Sequence, residues 1–251
     1  MIRSATQEGR IAATTRCSTL AATLALMLGA AGPAPAHAQQ ALLGPGAAFV
    51  SAGVSGIATG ELDDRLAARG YPTFGRTATA LGVGAYRVLA GKVMLGGEVH
   101  GLIVGEETRD GRVAGLGGGH GTLGMGYAVE LSPRARIYPR LGVGVGGLGL
   151  WIESQADTVG FDEVLANPTP APDRRAVLSR DGLVLDLGAG AEFLPAGRGR
   201  GALIGVRLGY LAARFGSGSD WQLHERTATG GPATSLAGPY VRVVVGGAWR
   251  R

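Results

Sequence analysis

The chain has 251 residues, of which 46 are glycine, 17% are charged and 6% are aromatic, and its formal net charge is +5. Average proteins contain about 7% glycine and about 25% charged residues, so this composition is unusual on both counts. The sequence lacks a Gly-X-Y period, which excludes collagen, and its abundant Val, Leu, Ile and Ala argue against disorder. The single cysteine, Cys17, excludes a disulfide framework. No cluster of basic residues indicates nucleic-acid binding.

Residues 1–38 have the features of a secretory signal peptide. Basic residues precede an apolar stretch over 20–32, and Ala36-His37-Ala38 fits the small-x-small cleavage pattern. The apolar stretch is shorter than the roughly 20 residues that a membrane-spanning helix needs. We therefore expect residues 1–38 to be a signal peptide and residues 39–251 to form one mature domain.

Beyond residue 45 the hydrophobic period is two. In 135–152, one row of alternate residues is mostly apolar, while the other holds Arg136, Arg140 and several glycines. Alternate side chains of a β-strand point to opposite faces, so this pattern predicts a strand with one apolar face. Eight such strands are predicted, near 47–58, 77–88, 93–104, 119–131, 135–152, 182–194, 202–214 and 238–249.

The predicted strands are about 12 residues long, whereas strands of soluble proteins usually have about 5–6. Their connections alternate between short turns at 89–92, 132–134 and 195–201 and longer loops at 59–76, 105–118, 153–181 and 215–237. Long tilted strands with short turns at one end are typical of outer-membrane barrels. The sequence thus predicts an all-β, eight-stranded antiparallel up-and-down transmembrane β-barrel in the cell outer membrane.

Aromatic residues lie near the predicted strand ends, where a girdle at the lipid headgroups is expected. The predicted membrane-interface aromatics are Tyr86, Tyr127, Phe193 and Trp249 at the short-turn end and Trp151 at the other. One conflict of register remains. If Tyr86 faces lipid, Leu81 and Val83 face inward.

Charged residues recur on the row that faces the barrel interior. The predicted set comprises Glu98, Glu130, Asp186, Glu192, Arg136, Arg140, Arg207 and Arg242. An eight-stranded barrel is just wide enough for side chains, and buried charges must be paired. We interpret the set as a structural salt-bridge network; a proton path or an open pore is the alternative.

No motif indicates a metal, a cofactor or a catalytic group. The histidines past the signal, His100, His120 and His224, lack a metal-ligand spacing such as H-x-x-x-H. The G-x-G-x-x-G matches lie inside predicted strands, whereas a dinucleotide site needs them between a strand and a helix. We expect no metal, no cofactor and no enzyme activity.

Three stretches, 138–146, 185–193 and 205–210, resemble the small outer-membrane β-barrel family that includes OmpX and the N-terminal barrel of OmpA. The resemblance covers about residues 45–250 and implies the barrel fold. Family members usually end on an aromatic residue, whereas here Arg250 and Arg251 follow Trp249. Some barrels of this kind modify lipid A, and the deacylase type carries a His-x-Ser pair. Here His120 is followed by Gly121 and Thr122.

The expected role is envelope structure or surface contact, by a monomer embedded in outer-membrane lipid. A surface ligand would be met by loops 59–76, 153–181 and 215–237. The alternatives are a lipid-modifying enzyme, a small porin and, at the level of fold, a soluble periplasmic barrel whose apolar row faces a sealed interior.

Overall fold

The computed structural model describes residues 45–154, 175–196, 201–215, 221–223 and 226–249. All of them belong to one compact unit, Gly44–Arg251. The predicted signal peptide, 1–38, lies outside the described residues. In the described part of the chain, no helix has the length and hydropathy needed to cross a membrane.

The described residues form one short helix and eleven strands. The helix is α1 (Gly60–Ala67). The strands are β1 (Gly46–Gly56), β2 (Thr77–Leu89), β3 (Val93–Arg109), β4 (Arg112–Tyr127), β5 (Val129–Ser132), β6 (Ala135–Ser154), β7 (Arg175–Phe193), β8 (Gly201–Phe215), β9 (Trp221–Leu223), β10 (Arg226–Ala228) and β11 (Gly238–Trp249).

Eight long antiparallel strands close into a barrel, which confirms the predicted fold class. Each pairs with its neighbour in the order β1–β2–β3–β4–β6–β7–β8–β11, and β11 pairs back with β1. Strand β5 continues the line of β4 and also pairs with β6. We call the end with the connections 89–93 and 132–135 the turn end, and the opposite end the loop end.

The predicted loop at 105–118 is wrong, because β3 and β4 continue to a two-residue turn at Asp110-Gly111. Both residues have positive φ, 49° and 71°. These values match a type I′ hairpin turn, which Asp-Gly favours. The sequence prediction made both strands too short because it did not recognise this turn.

Three other predicted loops contain regular structure. Loop 59–76 holds α1, loop 215–237 holds β9 and β10, and the last part of loop 153–181 belongs to β7. In α1, Leu62 and Leu66 lie four residues apart and are both buried, as expected of a short amphipathic helix. Both side chains belong to the apolar cluster at the loop end of the barrel.

Glycines of the inward row make room for large side chains on neighbouring strands. A Cβ on Gly82 would lie 2.2 Å from the His100 ring, and one on Gly190 would lie 2.3 Å from the Tyr138 ring. These two rings thus lie against a neighbouring strand that has no side chain at that point. The high glycine content follows from filling a narrow barrel with large polar and aromatic groups.

The interior has three levels. At the loop end is an apolar cap, defined as Ile57, Leu62, Leu66, Ala78, Ala80, Leu102, Leu116, Leu148, Leu150, Phe215, Trp221 and Leu236. At the turn end is a lower core, defined as Ala47, Phe49, Tyr86, Val88, Met94, Ala128, Tyr138, Leu203, Val244 and Ala248. Buried charged side chains lie between the two.

Candidate functional site: the charged interior and the two rims

The charged groups of the interior meet around three carboxylates. Glu98 accepts a 2.5 Å hydrogen bond from Arg207 and forms an ion pair with Arg140. Asp186 forms a 3.0 Å ion pair with Arg140. Glu98 on β3 is thereby linked across the barrel to Arg207 on β8 and to Arg140 on β6. Arg140 in turn pairs with Asp186 on β7.

Glu192 is the most heavily contacted carboxylate. Its Oε2 accepts hydrogen bonds from Arg136 Nη2 at 2.7 Å and from the Tyr86 hydroxyl at 2.6 Å. Its Oε1 accepts one from the Tyr138 hydroxyl at 2.7 Å, and Arg207 Nη2 lies 3.4 Å away. Charge-assisted hydrogen bonds of this kind are the strongest class available to a buried carboxylate.

Seven of the eight predicted network residues lie inside the barrel. Glu98, Arg140, Asp186, Glu192, Arg207 and Arg242 are buried, and Arg136 is half-buried. We use "charge network" for these seven residues. The structure brings six of them together through ion pairs, while Arg242 contacts histidine and tyrosine side chains instead.

Glu130, the eighth predicted residue, lies on the predicted row but is not buried. It is exposed at the turn end, on β5, where its register partner is Arg136. The register of β4 continues into β5, since Gly126 is paired with Arg140 and Glu130 with Arg136. Glu130 therefore keeps the inward row, but all four residues of β5 are exposed because this strand lies at the end of the barrel.

Tyr86 is a correction, because it was predicted to face lipid at the membrane interface. It is only 6% exposed, and its hydroxyl bonds to Glu192 inside the barrel. Its neighbours Leu81 and Val83 are consequently on the outer face, where both are exposed. The inward placement of Tyr86 removes the register conflict in this strand.

The other four predicted interface aromatics lie at the rims. Tyr127 and Phe193 are exposed at the turn end, and Trp249 is partly exposed there. Trp151 lies toward the loop end, where its Nε1 donates a 2.9 Å hydrogen bond to Glu106. Its indole ring packs directly over Gly115. A Cβ at that position would lie 2.0 Å from the ring.

The outer face of the barrel is apolar. On β7, for example, Leu183, Leu185 and Leu187 are exposed, while Asp186 between them is buried. The same alternation occurs on β11, where Val241 and Val243 are exposed and Arg242 is buried. This is the reverse of a soluble barrel, whose apolar row is sealed from water.

A cavity of about 30 Å³ borders the charge network and is lined in part by Glu98, Tyr138, Arg140 and Arg207. A space of this size holds about one water molecule.

Two loop segments contact each other at the loop end. The backbone groups of Ala58 and Ser235 bond in both directions, at 3.0 and 3.2 Å. Glu61 accepts a 2.8 Å hydrogen bond from the Ala233 backbone N–H, and Trp221 Nε1 donates to the Pro232 carbonyl at 3.1 Å. The segment that carries α1 and the segment that follows β10 thus cover the apolar cap together.

A serine, a histidine and a carboxylate meet inside the barrel. The Ser51 hydroxyl lies 3.1 Å from His100 Nε2, and a Glu98 oxygen lies 3.7 Å from the same nitrogen. In a hydrolytic triad the serine and the acid contact opposite nitrogens of the ring. Here both contact Nε2, and all three side chains are buried, so the arrangement does not activate a nucleophile.

The sequence reasoning missed the tyrosines and histidines of the interior. Tyr138 and Tyr240 donate to Glu192 and Asp186. His100 and His120 stack with ring centroids 4.9 Å apart. All four could have been found, because they occupy the same alternate row as the predicted charges. Within the described residues, no three His, Cys, Asp or Glu side chains are grouped so that they could hold a metal ion. His224 lies outside the described residues.

No protein-family model matches the sequence, and no curated protein matches it. Among solved structures, Ail, the attachment invasion locus protein of Yersinia pestis, is 14% identical with a TM-score of 0.44, covering 82% of this chain and 96% of Ail. A second Ail structure, in complex with the heparin analogue sucrose octasulfate, is 13% identical with a TM-score of 0.42, covering 82% and 97%. At this level of similarity, neither the partners nor the activity of Ail transfers to this chain.

Proposed function

We propose that this protein is an outer-membrane barrel with a structural or surface-contact role, and that its interior carries no transport path. The observation behind this proposal is the reversed sidedness of the strands. Leu183, Leu185 and Leu187 face outward while Asp186 and Glu192 are buried inside. Exposed apolar rows of this length are stable only in contact with lipid.

The rims support the same location. Tyr127 and Phe193 are exposed at the turn end, where aromatic side chains suit the headgroup region. Lys92 lies over the Tyr127 ring, with its Nζ 5.9 Å from the ring centroid. An amphipathic pair of this kind favours a membrane–water boundary.

The test of location is fractionation combined with gel migration. The protein should sediment with outer membranes, require detergent for release, and migrate differently before and after boiling, because a closed barrel resists unfolding by detergent at room temperature. Recovery in the soluble periplasmic fraction without detergent would contradict the proposal.

A closed interior is proposed on the basis of the packing at the charge network and the cover over the apolar cap. Arg140 and Arg207 bridge carboxylates across the barrel. Reconstitution into planar bilayers tests it directly. We expect no stable single-channel steps, and reproducible steps from the purified protein would favour the small-porin alternative.

The contact role is assigned to the loop end, because α1 and the strands β9 and β10 give that end a defined surface. One of the long connections at this end joins β6 to β7. Replacing 155–174 by a short Gly-Ser linker leaves both strands intact, since β6 ends at Ser154 and β7 begins at Arg175. Cells displaying the variant should lose binding to cell surfaces. A second variant that keeps the same residues in shuffled order controls for the length of the connection. Binding that is unchanged by the replacement would exclude this connection as the contact.

The alternative function is a lipid-modifying enzyme rather than a structural or surface-contact protein. The arrangement of Ser51 and His100 does not favour this alternative. Comparison of lipid A from cells with and without the gene tests it. We expect identical lipid A, and the loss of one modification in the deletion strain would favour the enzyme.

A further inference from the structure

An open groove lies on the outer face of the barrel, across β11, β1, β2 and β3, with a volume of about 560 Å³. It is formed by two levels of outward residues that are paired in register: Val245, Val50, Val83 and Val99, then Val243, Ala52, Leu81 and Gly101. Ser51 also lines it, but the Ser51 hydroxyl contacts His100 in the interior. The groove therefore offers a surface for hydrocarbon, and we call it the outer groove.

Toward the turn end, the outer groove continues into a band of small residues. The next outward residues of the same four strands, again in register, are Gly247, Ala48, Ala85 and Gly97. A Cβ on Gly247 would meet nothing within 4 Å, so the space outside this glycine is open. Only glycine and alanine thus lie between the groove and the turn-end rim on these strands.

The rim itself is basic and aromatic. The outward residues that follow in register are Trp249, Gly46, Arg87 and Leu95. The Trp249 ring lies over Gly46, where a Cβ would be 3.0 Å from it. Arg87 is partly exposed, and Lys92 is exposed in the turn between β2 and β3. Among the described residues of these four strands and that turn, no acidic side chain lies on the outer face at this end.

The loop-end rim of the same strands differs in charge. Arg76 precedes β2, Glu106 and Glu107 lie on β3, and all three residues are exposed. Both signs of charge are therefore present at the loop end, whereas the outward charges of these strands at the turn end are basic. An anionic group is favoured at the turn end.

The distance from the rim to the outer groove matches the reach of an acyl chain. Leu81 and Arg87 lie six residues apart on the same row of β2. At about 3.3 Å per residue, this separation is about 20 Å along the strand, or about 15 Å in depth for a strand tilted by about 40°. One leaflet of the hydrocarbon core is also about 15 Å thick. A lipid with its headgroup at Arg87 can therefore place the end of an acyl chain in the groove.

We propose that this face binds an anionic phospholipid of the leaflet at the turn end, with its phosphate at Arg87 and Lys92 and an acyl chain in the outer groove. The inference rests on the proposed function, since it requires the outer face to lie in lipid. A guanidinium donates two parallel N–H bonds to a phosphate, and an indole such as that of Trp249 suits the headgroup level. Attraction of an anionic lipid by one basic residue near the membrane surface corresponds to about fivefold in affinity.

The test compares two phospholipids that have identical acyl chains and different headgroup charge. The protein, folded in an uncharged detergent, is titrated with phosphatidylglycerol or phosphatidylcholine, and native mass spectrometry counts the bound lipids. The first phosphatidylglycerol should bind about fivefold or more tightly than the first phosphatidylcholine. Equal affinities for the wild-type protein would overturn the proposal, and this comparison does not depend on the folding of any variant.

Charge variants locate the headgroup. Arg87→Gln should remove most of the preference for phosphatidylglycerol, and adding Lys92→Gln should abolish it. Arg134→Gln is the matched control, because Arg134 is exposed at the same end but lies in the turn between β5 and β6; this variant should keep the preference. An equal reduction in Arg134→Gln and Arg87→Gln would mean that the basic turn end attracts lipid as a whole, and the site would be overturned.

A side chain placed in the outer groove locates the acyl chain. In Gly101→Leu the new Cβ would meet only the Leu81 carbonyl oxygen, at 4.0 Å, and the variant should bind the first phosphatidylglycerol about fourfold or more weakly, the value of one displaced methylene. Gly149→Leu, where a Cβ on β6 would meet nothing within 4 Å, should bind as the wild type does. Unchanged binding in Gly101→Leu would overturn the placement of the chain.

Fractionation separates this inference from the proposed function. A protein that sediments with outer membranes but binds both phospholipids equally would overturn the lipid site and leave the proposed function intact. Recovery of the protein in the soluble periplasmic fraction would overturn both.

Discussion

The middle of the barrel and its loop end are filled in different ways. At the charge network, side chains on β3, β6, β7 and β8 satisfy one another across the barrel, as in the Arg207 bridge between Glu98 and Glu192. At the apolar cap, Leu62 and Leu66 come from the helix α1, which lies between two strands in the chain. The first arrangement depends on closure of the whole barrel, whereas the second depends on one connecting segment. The two regions should therefore fail differently when they are damaged.

The largest effect is expected at the charge network. Arg207→Met removes the cation between Glu98 and Glu192 and leaves buried carboxylates undercompensated, which costs about 3–5 kcal/mol. Urea unfolding of the folded protein in vesicles measures it, and the barrel should lose stability as one cooperative unit. Arg134→Gln, at an exposed turn position, is the control and should change the free energy of unfolding by less than about 0.5 kcal/mol. Similar stabilities for the two variants would mean that the network contributes little.

A smaller and local effect is expected at the cap. Leu66→Ala leaves a space beneath α1, a loss of about 2–3 kcal/mol, and the loss should open the connecting segment without unfolding the barrel. Limited proteolysis should cut between residues 60 and 76 while the heat-dependent gel migration is retained. Ala67→Ser, on the exposed side of the same helix, should remain resistant. A Leu66→Ala barrel that unfolds globally at a lower urea concentration, with no local cutting, would contradict the distinction between the two regions.

The interior glycines provide a third test. In Gly190→Ala the new Cβ would lie 2.3 Å from the Tyr138 ring and displace the hydroxyl that bonds to Glu192, a cost of about 1–3 kcal/mol. Gly247→Ala is the matched control, since a Cβ there meets nothing within 4 Å. That change should be neutral or stabilise by about 0.4–1 kcal/mol through the unfolded state. Equal effects at both positions would remove the space-filling explanation of the glycine content.

The smallest effect is expected at the loop-end rim. Glu106→Ala removes the acceptor of the Trp151 indole N–H, a loss of about 0.5–1.5 kcal/mol. Glu107→Ala, at the neighbouring exposed position, is the control. The Trp151 emission maximum should shift in the first variant and stay in the second. No shift in either would show that the indole is held by its packing over Gly115 alone.

The strands were predictable because the alternation of residue types is a local property of the sequence. Leu185, Asp186 and Leu187 reveal two opposite faces without knowledge of any partner strand. The interior position of most charged residues follows from the same alternation. Alternation also gave the row of Glu130 correctly, but it does not show where the packed interior ends, and Glu130 lies at the exposed turn end. Tyr86 was misplaced because its residue type was weighed above its row.

The apolar cap could not be predicted by alternation, since it is built from short segments with other geometry. The residues Leu62 and Leu66 have helical spacing over one turn only, and Trp221 belongs to a three-residue strand. The side chains that contact Arg242 could not be predicted from the sequence either. Its neighbours His100 and His120 are 142 and 122 residues away in the chain, so only closure of the barrel brings them together.

The central claim is that the apolar rows face lipid and the charged rows face the interior. Spin labels attached at Leu185, which is 47% exposed on the outer row, and at exposed Arg134 in the turn test it in reconstituted vesicles. Oxygen, which dissolves in the acyl chains, should reach the label at 185 while a water-soluble nickel chelate should not, and the label at 134 should show the opposite accessibility. Access of the nickel chelate to the label at 185 would contradict the account.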